Sequence, residues 1–188
     1  MLNNEQYSAY LAKRSHIGSV YRNLVLYPKL CKHLKGSALD IGCGIGDMLQ
    51  YRPHTIGVDI NPFNIAICDK RGLDAKVMQI DILPFQDQSF DCALLDNVLE
   101  HIERPENLLK EVYRVLRPRG KLLVGVPGVK GQRSDPDHKI FYDESALILL
   151  AQRHQFLVTE QFYMPLFKSN LLSKRMSQYC VYSVWKKD

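Results

Sequence analysis

The sequence predicts an α/β fold built on a doubly wound sheet of seven strands, mostly parallel, with an antiparallel C-terminal strand. Two observations lead to this prediction. Short apolar segments recur along the chain, and segments of this length are typical of strands that are buried on both faces of a parallel sheet. Helical segments separate most of them, and such alternation favours a doubly wound architecture.

Five predicted strands lie in the first two thirds of the chain. They are residues 37–42, 55–60, 75–80, 90–96 and 121–126.

The clearest helix between these strands is predicted for residues 105–116. Pro105 suits a first helical turn, and Pro118 and Gly120 suit its end. Its leucines and valines recur at the spacing of one apolar helix face.

The two ends of the chain depart from this alternation. Residues 4–34 have helical spacing, with a predicted break near residues 16–19 around Gly18. Beyond residue 142, a helix over 143–153 and strands over 156–164 and 178–186 predict an antiparallel edge hairpin. We therefore expect a single domain over residues 1–188. Its parts are an N-terminal helical cap or lid (1–35), a cofactor-binding core (36–128) and a substrate-side region of loop and C-terminal strands (129–188).

Composition and charge restrict the classes of function. The chain has 188 residues, of which 46% are hydrophobic and 24% charged, as in ordinary globular domains. It has no apolar run of the roughly 20 residues that a membrane span needs, and its first residues lack the pattern of a secretory signal. Its five cysteines are scattered without a C-x-x-C pair, so we expect a cytoplasmic protein without disulfides or a metal. The net charge of +5 is concentrated at the two ends; this fits either solvated surface or an anionic partner.

A glycine-rich turn follows the first predicted strand. It reads Asp40-Ile-Gly42-Cys43-Gly44-Ile-Gly46. Glycines let the backbone turn sharply and let a ligand approach it closely, and a helix start behind them would offer free amides to an anionic group. Such turns also occur without a ligand, so the loop alone is weak evidence of a site.

Acidic residues follow the next two strands. Asp59 ends the second strand, where a carboxylate can accept hydrogen bonds from two ribose hydroxyls. Asp81 follows the third strand, where it could accept from an adenine amine while Ile82 packs on the ring. Each acid alone could be a turn or cap residue. Together, at the edge where open α/β sheets bind ligands, they indicate a nucleoside.

These motifs, in this order, resemble those of the class I S-adenosylmethionine-dependent methyltransferases, which have a Rossmann-like fold. The resemblance covers residues 36–128. Within the family, the chain resembles the subgroup that includes ubiquinone- and glycan-modifying methyltransferases. The resemblance is carried by residues 40–46, 57–60, 81–91, 99–109 and 115–120.

The resemblance implies S-adenosylmethionine as the cofactor and a role for each matching residue. The methionine end would be lined by Asp40, Gly42, Cys43 and Gly44. The ribose would be held by Asp59 with Ile60 nearby, and the adenine by Asp81 and Ile82. Asp96 and Asn97 would lie beside the sulfonium and its methyl group.

Two histidines are candidate catalytic bases. Methyl transfer is an in-line displacement that depends mainly on positioning, but an alcohol acceptor must also lose its proton. His101 lies one turn beyond Asn97, and His138 lies in the loop after the fifth strand, which faces the acceptor in this fold. His101 could instead be a packing residue and His138 an ordinary polar loop residue. The other four histidines fit surface or structural roles.

Two further segments have a functional and a plain interpretation. Tyr10 and Arg14 in the N-terminal helix could cover the sulfonium and pair with the methionine carboxylate, or belong to a helix that merely packs on the sheet. Residues 165–176 mix apolar and basic side chains. They fit a surface helix or a contact with a membrane or a lipid-linked acceptor.

The favoured function is therefore O-methylation of a small molecule or saccharide. The loop around His138 loosely resembles methyltransferases of bacterial surface-polysaccharide gene clusters. A sequence pI near 8.9 suggests a nucleic-acid acceptor, but the fourth strand ends in Asp96-Asn97-Val98-Leu99 without the Pro-Pro-Tyr motif that suits a flipped base. Asp59 would also suit an NAD(P)-binding oxidoreductase, yet the only Tyr-x-x-x-Lys, Tyr182 to Lys186, lies in a predicted strand. A further alternative is a module that binds the cofactor without transferring its methyl group.

Overall fold

The computed structural model describes residues 4–12 and 16–188, and its centre is one seven-stranded sheet. The strands are β1 (Ala38–Ile41), β2 (Thr55–Asp59), β3 (Ala75–Val77), β4 (Phe90–Asp96), β5 (Leu116–Pro127), β6 (Phe156–Met164) and β7 (Cys180–Lys187).

The strand order is β3-β2-β1-β4-β5-β7-β6. Strands β1 to β5 pair in parallel, whereas β7 lies antiparallel between β5 and β6. This confirms the mostly parallel seven-stranded sheet with an antiparallel C-terminal strand. It also brings the carboxyl ends of β1, β2 and β4 to one edge, where ligands bind in folds of this kind.

Helices cover both faces of the sheet. They are α1 (Asn4–Ala12), α2 (His16–Tyr21), a π-helical turn (Arg22–Leu26), α3 (Tyr27–Cys31), α4 (Asp47–Tyr51), α5 (Pro62–Lys70), a 3₁₀ turn (Leu99–His101), α6 (Glu106–Val115), α7 (Val129–Ser134), α8 (Glu144–Arg153) and α9 (Asn170–Arg175).

The predicted helix break at residues 16–19 is wrong, because α2 runs through Gly18. A glycine inside a helix costs only about 1 kcal/mol relative to alanine. Burial of Leu26, Tyr27 and Leu30 just beyond it packs the helical segment against the sheet.

Two strand boundaries also differ from prediction. Strand β3 ends at Val77, three residues early, and Gln79 and Ile82 form only an isolated bridge beyond it. Strand β5 begins at Leu116, because that residue pairs with Phe90 across an irregularity in the β4–β5 register. Tertiary pairing therefore extends β5 through Pro118 and Gly120, which the sequence pattern marked only as the end of a helix.

The core lies on the two faces of the sheet. On one face α6 buries its predicted apolar stripe, which includes Leu109 and Val112. On the other face Leu30 and Leu34 pack against Tyr182 and Leu94. Burial of apolar surface of this kind is the main favourable term in folding. It fixes the ends of β1 and β4 relative to each other.

Segment 165–176 ends in the short exposed helix α9, as predicted for a surface helix. Leu166, Phe167 and Leu171 are exposed there. Among the described helices, none is both long and apolar enough to span a bilayer.

Candidate active site

The chain turns sharply after β1 through three glycines. Gly42, Gly44 and Gly46 have φ values of 75°, 53° and 83°, a region that side chains rarely adopt. At Gly42, a Cβ atom would also lie 2.6 Å from Cγ2 of Val98. The turn therefore requires glycine at Gly42 for both its conformation and its space.

Asp59 ties this glycine loop to the end of β2. Its Oδ2 accepts a hydrogen bond from the Gly44 amide at 2.9 Å, and its Oδ1 accepts one from the Asn61 amide at 2.8 Å. Burial raises the pKa of this carboxyl, and the bonds from the two amides oppose that rise. The Asn64 side chain also forms a hydrogen bond with this carboxylate. A carboxylate has about four acceptor sites, so it keeps acceptor capacity for the ribose.

Two further carboxyls, Asp40 and Asp96, lie at the ends of β1 and β4. Asp40 is 5% exposed, and burial, followed by repulsion from Asp96 and Asp59, raises its pKa well above its usual range. The Tyr182 hydroxyl donates to Oδ1 of Asp96 at 2.8 Å, and the side-chain Nδ2 of Asn97 donates to the same oxygen at 3.0 Å. Because like charges in a buried site repel, this arrangement favours a cationic ligand.

These groups open into one cavity of about 470 Å³. Nine of the predicted site residues line it: Asp40, Gly42, Cys43, Gly44, Asp59, Asp96, Asn97, His101 and His138. Tertiary folding has therefore brought together residues that lie up to about a hundred positions apart in the chain.

Three of the residues assigned to the nucleoside, Ile60 near the ribose and Asp81 and Ile82 at the adenine, lie differently. Ile60, Asp81 and Ile82 are not among the described residues that line this cavity. The side chains of Ile60 and Ile82 are 57% and 53% exposed. Their roles, and that of Asp81, stay predictions. The free thiol of Cys43 forms a hydrogen bond with that of Cys68 in a small apolar cluster.

The N-terminal helices also reach the cavity. Helix α1 is anchored by Ser8. Its hydroxyl donates to Oδ1 of Asn64 at 2.8 Å and accepts from the side-chain Nδ2 of Asn61 at 3.1 Å. Beyond α1, Tyr21 and Arg22 line the cavity. Arg14 lies outside the described residues, and the described part of Tyr10 is its backbone in α1.

Sequence reasoning missed Arg22. Its guanidinium lies 3.4 Å from Oδ2 of Asp47, at the start of the helix that follows the glycine loop. The helical spacing of apolar residues over 20–34 could have indicated that Arg22 lies on a helix that packs against the sheet. Tyr182 was missed as a site residue because it was weighed only as part of a Tyr-x-x-x-Lys motif.

Glu100, His101 and His138 form a second group, of which the two histidines line the cavity. The Glu100 carboxylate is fully buried, and Nε2 of His138 lies 3.8 Å from its Oε1. The two imidazole rings are 4.7 Å apart between centroids. The loop that carries His138 is held by amides of Lys139 and Ile140, which donate to the Glu100 carbonyl at 2.7 and 3.1 Å.

Burial dominates the electrostatics of this group. It raises the pKa of Glu100 to about 8. Burial and the neighbouring His138 lower the pKa of His101. Glu100 was not predicted as a site residue, although it directly precedes His101 in the family-like Leu-Glu-His motif.

Two of the other histidines have plain structural positions. His33 stacks on Phe162 at 5.2 Å between ring centroids, and His154 caps the end of α8. Neither lines the cavity in the described part of the chain.

Comparison with known proteins agrees with this geometry. Residues 39–124 match the family model of the methyltransferase domain. An uncharacterized protein of Methanocaldococcus jannaschii is 38% identical over 98 residues, covering 52% of this chain and 48% of that protein. The probable tRNA methyltransferase 9B of Mus musculus is 32% identical over 166 residues, covering 76% of this chain and 37% of that protein. The chain thus spans less than half the length of either relative.

A solved structure shows the same fold over the whole chain. It is a SAM-dependent methyltransferase from Thermotoga maritima, described as a possible histamine N-methyltransferase. It has a TM-score of 0.77 and 22% identity, and the match covers 100% of both chains. Residues 39–124 thus match a methyltransferase domain, and the chain has the fold of the class I S-adenosylmethionine-dependent methyltransferases.

Proposed function

We propose that the chain transfers a methyl group from S-adenosylmethionine to a hydroxyl oxygen of a small molecule or saccharide. One observation carries this proposal. A single cavity is lined both by the glycine loop with its carboxyls and by His101 and His138. Donor and acceptor would then meet in one cavity, as positioning catalysis requires.

The cofactor is held, in this proposal, by groups at the carboxyl edge of the sheet. Asp59 accepts from the ribose hydroxyls while it keeps the glycine loop in place. Asp40 and Asp96 supply negative charge near the methionine ammonium and the sulfonium. Arg22 pairs with the methionine carboxylate, the role that the sequence suggested for Arg14.

The reaction moves a methyl carbon from sulfur to oxygen. The carbon–sulfur bond breaks with its electron pair left on sulfur, which gives S-adenosylhomocysteine. The new carbon–oxygen bond forms with an electron pair of the acceptor hydroxyl, whose proton is lost. His101 and His138 line the same cavity and can assist the loss of that proton.

The size and surroundings of the cavity support a small acceptor. Its volume of about 470 Å³ is that of a single small-molecule site. Because the cofactor occupies part of this volume, the room left for the acceptor is small. Exposed Leu166 and Phe167 beside Lys168 support including lipid-linked saccharides among the acceptors to be tested. A cytoplasmic location, supported by the free state of the cysteines, is part of the same proposal.

RNA methylation is the second candidate. A relative named as a probable tRNA methyltransferase and the formal net charge of +5 support it. Against it, the described residues that line the cavity include five aspartates but one arginine, Arg22, so carboxyl groups outnumber the basic side chains that would contact a phosphate backbone. Salt-sensitive RNA binding together with methyl transfer to tRNA would favour this candidate over the first.

The proposal is tested first by ligand-induced stabilisation. S-adenosylhomocysteine at about a hundred times its Kd should stabilise the fold by about 2.7 kcal/mol. For a chain of this size, that corresponds to a rise in Tm of about 5–10 °C. NADH at the same concentration should leave Tm unchanged. Labelled methyl transfer to hydroxylated small molecules and saccharides, with tRNA in parallel, then identifies the acceptor class. Labelling of tRNA alone would reject the first candidate.

Replacement of Arg22 tests how the methionine carboxylate is bound. Arg22→Ala should weaken S-adenosylhomocysteine binding by about 10–100-fold, because a hydrogen bond to a charged group is worth about 1.5–3 kcal/mol. Calorimetric titration measures the affinity. Arg153→Ala, at an exposed position at the end of α8, is the matched control and should bind normally. Normal binding by Arg22→Ala would refute this role.

A further inference from the structure

We propose that Glu100, His101 and His138 bind a divalent first-row metal ion at the acceptor end of the cavity. The sequence alone predicted no metal, because these residues come from two distant segments. They meet only where the loop after α7 folds back onto the 3₁₀ turn that follows β4.

The donor atoms are close enough for one ion. One ligand atom from each of the three side chains lies within 4.8 Å of the other two. Metal–ligand bonds of about 2.0–2.2 Å place neighbouring donors roughly 3–3.5 Å apart. Each side chain therefore needs to move by only about an ångström or less. Two imidazoles and one carboxylate are a ligand set that zinc, iron and manganese accept.

The state of Glu100 is the second, independent observation. Its side chain is 0% exposed. Both carboxylate oxygens are buried without a hydrogen-bond partner. An unpartnered carboxylate inside a protein is costly, and the cost is relieved by protonation or by a bound cation. A divalent ion would displace the proton from Glu100 and bind the carboxylate. No lysine or arginine pairs with this carboxylate in the described part of the chain, whereas two imidazoles face it.

Both histidines are oriented as metal ligands usually are. Nδ1 of His138 lies 3.2 Å from the Gln132 carbonyl oxygen, and the Asp137 backbone forms a hydrogen bond with the His101 ring. A bond from one ring nitrogen to a backbone carbonyl fixes the tautomer and leaves the other nitrogen free to bind a metal. Oδ2 of Asp135, 4.0 Å from Nε2 of His138, adds negative charge at the rim.

The ion would give this end of the cavity a defined chemical task. A divalent cation that contacts the acceptor oxygen lowers the pKa of the hydroxyl and places it for attack on the methyl group. The proton would then leave to solvent, and His138 would assist its removal by holding the ion. This catalytic consequence rests on the proposed O-methylation, whereas the binding of the ion does not.

Manganese is the probe of choice, because the buried thiols of Cys43 and Cys68 would compete for the softer Zn²⁺. We expect one Mn²⁺ per chain, seen by calorimetry and by loss of the sharp paramagnetic resonance signal of the free aqueous ion. Glu100→Gln and His138→Ala should each weaken Mn²⁺ binding by about 100-fold, since even outer partners of metal ligands are worth 10–100-fold. The control His154→Ala should bind as the unaltered chain does.

Stability and cofactor binding are measured on the same samples. Glu100→Gln changes a buried group, so His138→Ala, in a partly exposed loop, provides the second test if the first variant fails to fold. Absence of Mn²⁺ binding by the folded, unaltered chain, or equal binding by all variants, would overturn the metal site. Bound Mn²⁺ with methyl transfer insensitive to chelation would overturn its catalytic role. Bound Mn²⁺ without transfer to any hydroxyl acceptor would reject the proposed function and leave the metal site standing.

Discussion

Asp59→Ala is expected to abolish the stabilisation by S-adenosylhomocysteine. The carboxylate makes two contributions that alanine cannot replace. It offers acceptors to the ribose hydroxyls, and it holds the Gly44 amide, and with it the glycine loop, through a 2.9 Å hydrogen bond. The Tm rise of about 5–10 °C expected of the unaltered chain at saturating ligand should fall to zero in a thermal-shift assay.

A matched variant separates the loss of ligand binding from general damage. Asp69→Ala removes an exposed carboxylate from α5 and should keep the full ligand-induced shift. Without ligand, Asp59→Ala should melt a few degrees lower, because two backbone amides lose their acceptors, at about 1–3 kcal/mol for a buried unsatisfied group. A full ligand-induced shift in Asp59→Ala would show that the ribose is bound elsewhere.

His138→Ala is expected to reduce turnover by about 10²–10⁴-fold, the usual contribution of a group that assists proton removal. Affinity for S-adenosylhomocysteine should stay the same, because the contacts described for His138 are with Gln132, Glu100 and Asp135 and not with the glycine loop or Asp59. The measurements are kcat with the acceptor found in the labelling screen, and the ligand-induced Tm shift of the same preparation.

The control for this variant is again His154→Ala, which removes an imidazole that lies away from the cavity. Its turnover should equal that of the unaltered chain. If His138→Ala also retained full turnover, His138 would be an ordinary loop residue, and the acceptor would lose its proton without help from this group.

Local patterns were sufficient for much of the fold. Strand β4, strand β6 and helix α6 lie within a residue of their predicted positions, because each has a strong apolar periodicity of its own. The predicted end of β3 and the predicted start of β5 were misplaced, because these boundaries depend on pairing with neighbouring strands. The break at Gly18 was misplaced because helix packing outweighs the modest cost of one glycine.

The candidate site divides in the same way. Asp40, the glycine loop and Asp59 follow directly from strand ends, since carboxyl ends of parallel strands meet at one edge of the sheet. Glu100 could not be recognised as a site residue from the sequence. Its importance comes from burial, and that burial requires Lys139 and Ile140 to bond with its carbonyl from a loop almost forty residues away.

The sequence by itself determined the alternation of strands and helices, the glycine turn and the carboxyls at the sheet edge, because neighbouring residues encode these features through periodicity and conformational preference. Only the tertiary structure decided that Arg22 lines the cavity and that Glu100, His101 and His138 face one another. Contacts of this kind depend on how distant segments pack. The free energy of that packing comes from the whole core, so no single segment of the sequence predicts it.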